Sequence, residues 1–265
     1  YLPPVHFDLL EAGALYLAAR LLARHSDEHN PATVHALAKL AGAMPQAIAD
    51  HIHHTLRALA YRPDNPTYAR VLETLMLGWA SGRKIRIWYR SAGSENVHDY
   101  LFAPYLIEPS GTGYATYAIG YSSWFDEVHT FKVERIREAR LTDEIFEVPE
   151  DFDGAALLHN AWSVMYGPPG QETEVVLRFS PEVTRRVQES VWHPSQTLEI
   201  GDDGGCRLRL RVAHPVEMKP FIRGWGPNCE VLAPDWLRAE IAAEMRQAAA
   251  VYGPAETAGE GEQEP

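Results

Sequence analysis

The hydrophobic pattern of the chain changes at one stretch, Lys84-Ile85-Arg86-Ile87-Trp88-Tyr89-Arg90, where apolar and polar side chains begin to alternate. Before it, residues 1–82 carry apolar side chains at helical spacing, and a run over residues 9–23 is apolar on nearly every side. We therefore expect helices in this part, the first of them buried against several neighbours. After the stretch, alternation recurs in residues 100–108, 114–121, 128–136 and 139–146.

Five short antiparallel strands within about 65 residues predict a small closed or nearly closed barrel over residues 83–147. Gly93, the Gly111-Thr112-Gly113 turn and Ser122-Ser123 separate several of these strands. On the strand over residues 128–136, alternation places His129, Phe131, Val133 and Arg135 on one face and Lys132 on the other. The fold class is therefore α+β.

A segment rich in proline and glycine follows at residues 148–171 and predicts a linker. A second α+β unit is expected over residues 172–252. Its strand Cys206–Val212 alternates apolar residues with Arg207, Arg209 and Arg211. The acidic residues 253–265 are expected to be a disordered tail.

The composition excludes several classes of protein. A net charge of -12 argues against a chain that coats duplex DNA. No apolar run is long enough to cross a bilayer, and two cysteines are too few for a disulfide framework. We therefore expect a cytoplasmic protein with no membrane contact.

Motifs of catalysis and cofactor binding are missing from the sequence. It contains no P-loop, nucleophile elbow or dinucleotide-binding turn, and no pair of acids spaced for acid–base work. His25-Ser26-Asp27-Glu28-His29 matches a zinc motif in its letters, but Asn30-Pro31 follows at once and breaks the helix that such a site needs. We expect neither an enzyme nor a bound metal or cofactor.

Residues 37–48 resemble a helix-turn-helix superficially. A recognition helix needs side chains that reach bases and phosphates, and this one offers Gln46, Asp50 and histidines, with Arg57 as its one firm cation. We expect a connecting segment here, not a DNA reader.

The predicted barrel carries a family resemblance. Its segments are Ile85-Arg86-Ile87-Trp88-Tyr89, Ala103-Pro104-Tyr105-Leu106, Tyr117-Ala118-Ile119-Gly120-Tyr121 and Thr130-Phe131-Lys132-Val133-Glu134-Arg135-Ile136. In order and spacing they resemble a WYL domain of bacterial transcription regulators. Downstream, Pro220-Phe221-Ile222-Arg223-Gly224-Trp225-Gly226 and Glu230-Val231-Leu232-Ala233-Pro234 resemble the extension that follows such domains.

The resemblance implies a helical connector over residues 1–82, an Sm/SH3-like barrel and a C-terminal extension of ferredoxin-like fold. It also implies a winged helix-turn-helix head that binds duplex operator DNA as part of a homodimer. Since the chain starts at Tyr1 and not at methionine, we expect that head to be absent from this sequence.

The resemblance further implies a nucleic-acid-type effector, either single-stranded DNA or a nucleotide. The naming Trp-Tyr-Leu triplet is Thr116-Tyr117-Ala118 here, and His129 replaces a customary arginine. The candidate ligand-binding residues are Tyr117, Tyr121, His129, Lys132 and Arg135. Aromatic rings beside cations suit a stacked base and a phosphate. Alternatively, the tyrosines are core residues and Arg135 pairs with Glu134 or Glu138.

The arginines at 207, 209 and 211 form a second candidate surface, which Arg223 and Trp225 could extend. Guanidinium groups about 7 Å apart along a strand suit a phosphate backbone or an acidic partner. The alternative is an ordinary strand with a solvated outer face. Two hypotheses therefore stand: an effector-sensing, dimeric region of a transcription regulator, or a protein-interaction module that responds to no ligand.

Overall fold

The computed structural model describes residues 7–25, 31–61, 63, 65–110 and 115–253. The chain forms two compact units, the first ending at Phe152 and the second beginning at Asp153. Helices combine with two antiparallel sheets, so the α+β class is confirmed. The Gly111-Thr112-Gly113 turn, residues 26–30 of the zinc-like motif and its flank, and residues 254–265 of the acidic tail lie outside the described residues.

The first unit opens with four helices, α1 (Leu9–His25), α2 (Pro31–Ala41), α3 (Gln46–Ala60) and α4 (Pro66–Ser81). At α1, the Asp8 carboxylate accepts a hydrogen bond from the Glu11 N–H at 2.9 Å, and the Glu11 carboxylate accepts one from the Asp8 N–H at 2.8 Å. Asn65 caps the start of helix α4, and its side chain accepts a hydrogen bond from Tyr68 N–H at 3.0 Å. Gly82 caps the other end of the helix in a left-handed conformation.

Helix α1 is not buried on all sides, contrary to the prediction. Its Tyr16 and Ala23 join the small core that α1 forms with α2 and α3. On the other side Leu10 is 82% exposed and Leu17 65% exposed. An apolar composition all round therefore does not place this helix in the middle of a bundle, because α2 and α3 cover one face of it.

Five strands follow the helices: β1 (Arg83–Tyr89), β2 (His98–Pro109), β3 (Thr116–Ser122), β4 (Glu127–Lys132) and β5 (Ile136–Ile145). They form one antiparallel sheet in the order β4-β3-β2-β1-β5. Within the described part of the chain, the edge strands β4 and β5 do not pair with each other, so the sheet is not a closed barrel.

The predicted single strand over residues 128–136 is wrong. A 3-10 turn, Val133–Arg135, separates β4 from β5 and carries the chain from one edge of the sheet to the other. Three residues span about 10 Å at most, so the sheet must curve strongly to bring these strand ends together. The turn is held in place because the Val133 side chain is fully buried. Arg135 therefore does not follow the alternation that places His129.

The core of the first unit lies between α4 and the inner face of the sheet. Val71 and Leu75 of α4 pack with Ile85 and Ile87 of β1 in a cluster that also includes Phe102, Phe131 and Val133. Phe131 and Val133 are buried as predicted. We expect this apolar contact to supply most of the stability of the unit, since each large side chain that is fully buried contributes about 1.5–3 kcal/mol.

The second unit contains α5 (Gly154–Leu158), β6 (Thr173–Phe179), α6 (Pro181–Gln188), β7 (Thr197–Ile200), β8 (Cys206–Val212), α7 (Lys219–Gly224), β9 (Cys229–Ala233) and α8 (Asp235–Val251). Its sheet is antiparallel in the order β7-β8-β6-β9. One face packs on Val187 of α6, Ile222 of α7 and Leu237 of α8. The ferredoxin-like arrangement stays a prediction.

Residues 153–171, which fall in the predicted linker, belong to this second unit. The buried Asn160 side chain donates to the Gly167 carbonyl at 3.0 Å, and its backbone carbonyl accepts from Ala213 N–H at 2.7 Å. The Glu217 carboxylate accepts from the backbone N–H groups of Ser163 and Val164 at 3.0 and 3.1 Å. Side chains thus satisfy the backbone of a segment that has little regular structure.

Gly120 is required because the backbones of β3 and β2 approach each other closely at this position. A Cβ at this position would overlap the Ala103 carbonyl and lie 2.8 Å from the Tyr105 nitrogen. Because both obstacles are backbone atoms, we expect Gly120→Ala to lower the free energy of unfolding by about 3 kcal/mol, measured by urea denaturation. The matched control is Gly93→Ala, whose Cβ meets nothing within 4 Å. Equal stability of the two variants would contradict the close backbone approach at Gly120.

Candidate functional site

The five candidate ligand residues of the first unit do not share one face. In the pairing of β3 with β4, Tyr117 stands opposite Lys132, Tyr121 opposite Val128, and Gly120 opposite His129. Since side chains alternate along a strand, Tyr117, Tyr121 and Lys132 lie on the outer face. His129 lies on the inner face together with the buried Phe131. The structure therefore divides the predicted set in two.

The outer-face group consists of half-buried side chains. Lys132 forms no hydrogen bond or ion pair with another side chain in the part of the chain that the structure describes. On the other side of Tyr117 stands Glu108 of β2, whose carboxyl pKa is raised by burial. The Tyr121 hydroxyl donates to Asp126 at 2.5 Å, and this bond raises the pKa of Tyr121. Lys132 therefore stands next to one tyrosine, with the Glu108 carboxyl on the far side of that ring.

Arg135 occupies the 3-10 turn between β4 and β5. Its backbone carbonyl accepts from Arg90 N–H at 3.2 Å, which places the two arginines side by side along the chain backbone. The alternative that Arg135 pairs with Glu134 or Glu138 is not seen among the described residues. Glu138 pairs with Arg140 at 2.6 Å, and Glu134 accepts from Thr116 N–H at 2.8 Å. Both glutamates thus have other partners than Arg135.

The inner face ends in three rings, Tyr100, Phe125 and His129, here called the aromatic stack. The centroids of Phe125 and His129 are 4.0 Å apart with planes 11° from parallel, and those of Tyr100 and Phe125 are 5.6 Å apart at 16°. Trp124, which is 72% exposed, meets Tyr100 edge-on at 6.2 Å. The sequence offered one signal for the stack: Trp124-Phe125 stands in a polar turn, where exposed aromatic residues are unusual.

Trp124 and Phe125 lie in a tight turn between β3 and β4. The Ser122 carbonyl accepts from the N–H groups of Phe125 and Asp126 at 3.2 and 2.9 Å, and Asp126 has a positive φ of 57°. Aspartate tolerates this conformation better than most residues. The Tyr121 hydroxyl bound to the Asp126 side chain fixes the turn a second time.

In the second unit, the arginines of β8 lie on the face that was predicted. Along Cys206–Val212, buried and exposed residues alternate strictly, with Arg207, Arg209 and Arg211 exposed. This face is not uniformly basic, however. Arg209 pairs with Glu174, Arg211 pairs with Glu172 at 3.5 Å, and Glu199 stands opposite Arg207. The observed ion pairs favour the solvated, mixed-charge face over a surface for phosphates.

Arg223 and Trp225 do not extend this arginine face. Trp225 packs against Phe179 at 5.3 Å, on the side of the sheet that the helices cover, and the Arg186 guanidinium lies 4.9 Å above its ring. Arg223 contacts Glu244 of α8 at 3.5 Å. Both residues therefore serve the packing of the helices, opposite to the exposed arginines of β8.

Two further predictions concern metals and membranes. In the described ranges, no group of three or more histidine, cysteine, aspartate or glutamate side chains stands close enough to hold a metal ion. Nor does any helix there combine the length and the apolar character that crossing a bilayer requires.

The stacked position of His129 has a measurable consequence. Burial lowers the pKa of the imidazole, and Glu127 opposes that shift only in part. Because the folded pKa lies below the unfolded value, the native state binds fewer protons in this interval, and stability falls as the pH drops below about 6.5. NMR titration of the His129 ring is expected to give a midpoint below 6.5, with His129→Asn used for assignment. A midpoint at or above 6.5 would contradict the buried stack.

Comparison with known proteins bears on both units. A model of the WYL domain matches residues 70–141, and a model of the WCX domain matches residues 171–249. No curated protein sequence matches the chain.

Two solved structures show weak similarity. Proteasome accessory factor B/C (PafBC) of Arthrobacter aurescens aligns at 17% identity and a TM-score of 0.38, over 95% of this chain and 37% of that one. A CRISPR Cas-related protein aligns at 10% identity and a TM-score of 0.46, over 69% and 51%. The chain thus spans about a third to a half of the length of these proteins. The family models identify it as a chain in which a WYL domain is followed by a WCX domain.

Proposed function

We propose that this chain is the effector-sensing region of a transcription regulator, without a catalytic role. The main observation in support is that two cations, Lys132 and Arg135, lie at the two ends of one short turn of the WYL domain. Tyr117 stands directly opposite Lys132 on the neighbouring strand. Neither cation forms an ion pair within the described residues. A cation opposite an aromatic ring, with a second cation three residues later in the chain, suits a ligand that carries both phosphates and bases.

The ligand class follows from the overall charge of the chain. The chain has a net charge of -12, so its overall electrostatic field does not attract a polyanion. A polyanionic ligand must therefore be held by a local group of cations. We infer a short single-stranded DNA or a nucleotide, bound at the edge strand β4. Two linked heads that read operator half-sites would respond to such a ligand only if it binds their two arrangements with different affinity.

The test is a titration of a labelled oligothymidylate by fluorescence anisotropy at several salt concentrations. Lys132→Gln should weaken binding and lower the slope of log K against log salt by about 0.7, the value for one phosphate contact on a single strand. The matched control is Lys84→Gln, because Lys84 is already paired with Glu144 at 3.1 Å. Absent binding would refute single-stranded DNA as the ligand, and binding equally affected by both variants would refute the site at Lys132.

A second candidate function is a protein-interaction module that responds to no ligand. The observation that favours it is the exposed apolar face of α1, formed by Leu10, Leu17 and Leu21. Apolar side chains at this spacing on one helix face suit a second helix. A homodimer, which we propose for either function, could use this face.

Light scattering should give twice the monomer mass of 29.7 kDa at micromolar concentration. If α1 forms the contact, Leu17→Glu should yield a monomer, since it places a charge in an apolar interface. The control is Leu77→Glu on α4, which is 54% exposed. A dimer that persists in the Leu17→Glu variant excludes α1, and a monomeric wild type excludes the homodimer.

A further inference from the structure

The aromatic stack has a property that core packing does not explain. Its inner members do contact the core, since Tyr100 and His129 lie 5.2 and 5.0 Å from the ring of Phe131. Trp124 continues the group outward, and 72% of this large side chain remains exposed. Burial would stabilise an indole, so a structure that fixes one on a rigid turn in solvent forgoes that gain.

The geometry of the rings suits a planar partner. Tyr100, Phe125 and His129 are within 16° of parallel at each step, and the turn that carries Trp124 and Phe125 is held by the Ser122 carbonyl and by Tyr121. Rings fixed before binding lose little entropy when another ring stacks on them. A heterocyclic base presents a flat π-face of this kind whatever its sequence.

Charge near the stack separates the base from the phosphate. Asp126 ends the turn and Glu127 begins β4, and both carboxylates disfavour a phosphate beside Trp124. Tyr89, whose ring lies 6.5 Å from that of Tyr100 and 5.1 Å from that of Phe131, is followed at once by Arg90. Arg90 is bonded through its backbone to Arg135. The Arg90 guanidinium itself lies 3.9 Å from Glu95, so the cation that this backbone contact brings near the aromatic group is Arg135.

We infer that the aromatic stack and Trp124 form a site where one base of a nucleotide or a single-stranded nucleic acid stacks. The assignment rests on the proposed function for the class of ligand, and it adds residues that the motif of the family does not include. Because β4 is an edge strand, a ligand that crosses this edge reaches His129 on one face and Lys132 on the other. The site reads a base, and Lys132 and Arg135 hold the phosphates.

The experiment compares three probes: thymidine monophosphate, an oligothymidylate, and an abasic oligomer of the same length that keeps the sugar and phosphate groups. Binding is followed by quenching of tryptophan fluorescence and by anisotropy for the two oligomers. Trp124→Leu should weaken oligothymidylate binding about tenfold and leave the abasic oligomer unchanged. The matched control is Trp236→Leu, a half-exposed tryptophan of α8 in the second unit, which should change neither.

The outcomes separate this inference from the proposed function. If the abasic oligomer binds as tightly as oligothymidylate, and Lys132→Gln weakens both, the stacking site is refuted while the proposed function stands. If thymidine monophosphate quenches Trp124 but no oligomer binds, the stacking site is supported and the effector is a free nucleotide. If Trp124→Leu changes no binding curve, the stacking site is refuted. Phe125→Leu, which removes the middle ring, should reproduce the loss seen with Trp124→Leu.

Discussion

The first unit depends on a connection of three residues between the two opposite edges of one sheet. Val133–Arg135 is too short to let these edges move far apart, so the sheet must curve around the apolar residues that α4 presents. Val133 fixes the turn because it is fully buried in that same cluster. The turn also sets the positions of Lys132 and Arg135 at its two ends. The same short turn thus determines both how the core closes and where the two cations lie.

Much of the architecture could be predicted from the period of the hydrophobic pattern. The change from helical to alternating spacing at residue 83 coincides with the start of β1, and the strict alternation of Cys206–Val212 is confirmed. These signals are local, because they depend on which side of one element is covered. Periodicity could not show the break at Val133, since the apolar residue there continues the pattern while the backbone leaves the strand. The predicted strand over residues 128–136, and with it the placement of Arg135 on the face of His129, failed at that point.

The other differences between expectation and structure arise where the pattern of one segment carries no information about the elements that pack against it. An apolar composition on all sides predicts burial of α1, but only α2 and α3 cover it within the described residues. The arginines of β8 were placed on the right face, yet their partners, Glu174 on β6 and Glu172 just before β6, cannot be read from β8. The aromatic stack joins Tyr100 of β2 to a turn about 25 residues later, a contact that depends on strand register.

The register of β4 has a consequence for the evolution of the chain. Each residue of an edge strand faces one side of the sheet, so a slip of β4 by one residue against β3 would exchange the faces of His129 and Lys132. The same change would move Phe131 out of the core. Insertions and deletions among related sequences should therefore avoid the interior of β4 and fall in loops, where they leave the strand register unchanged.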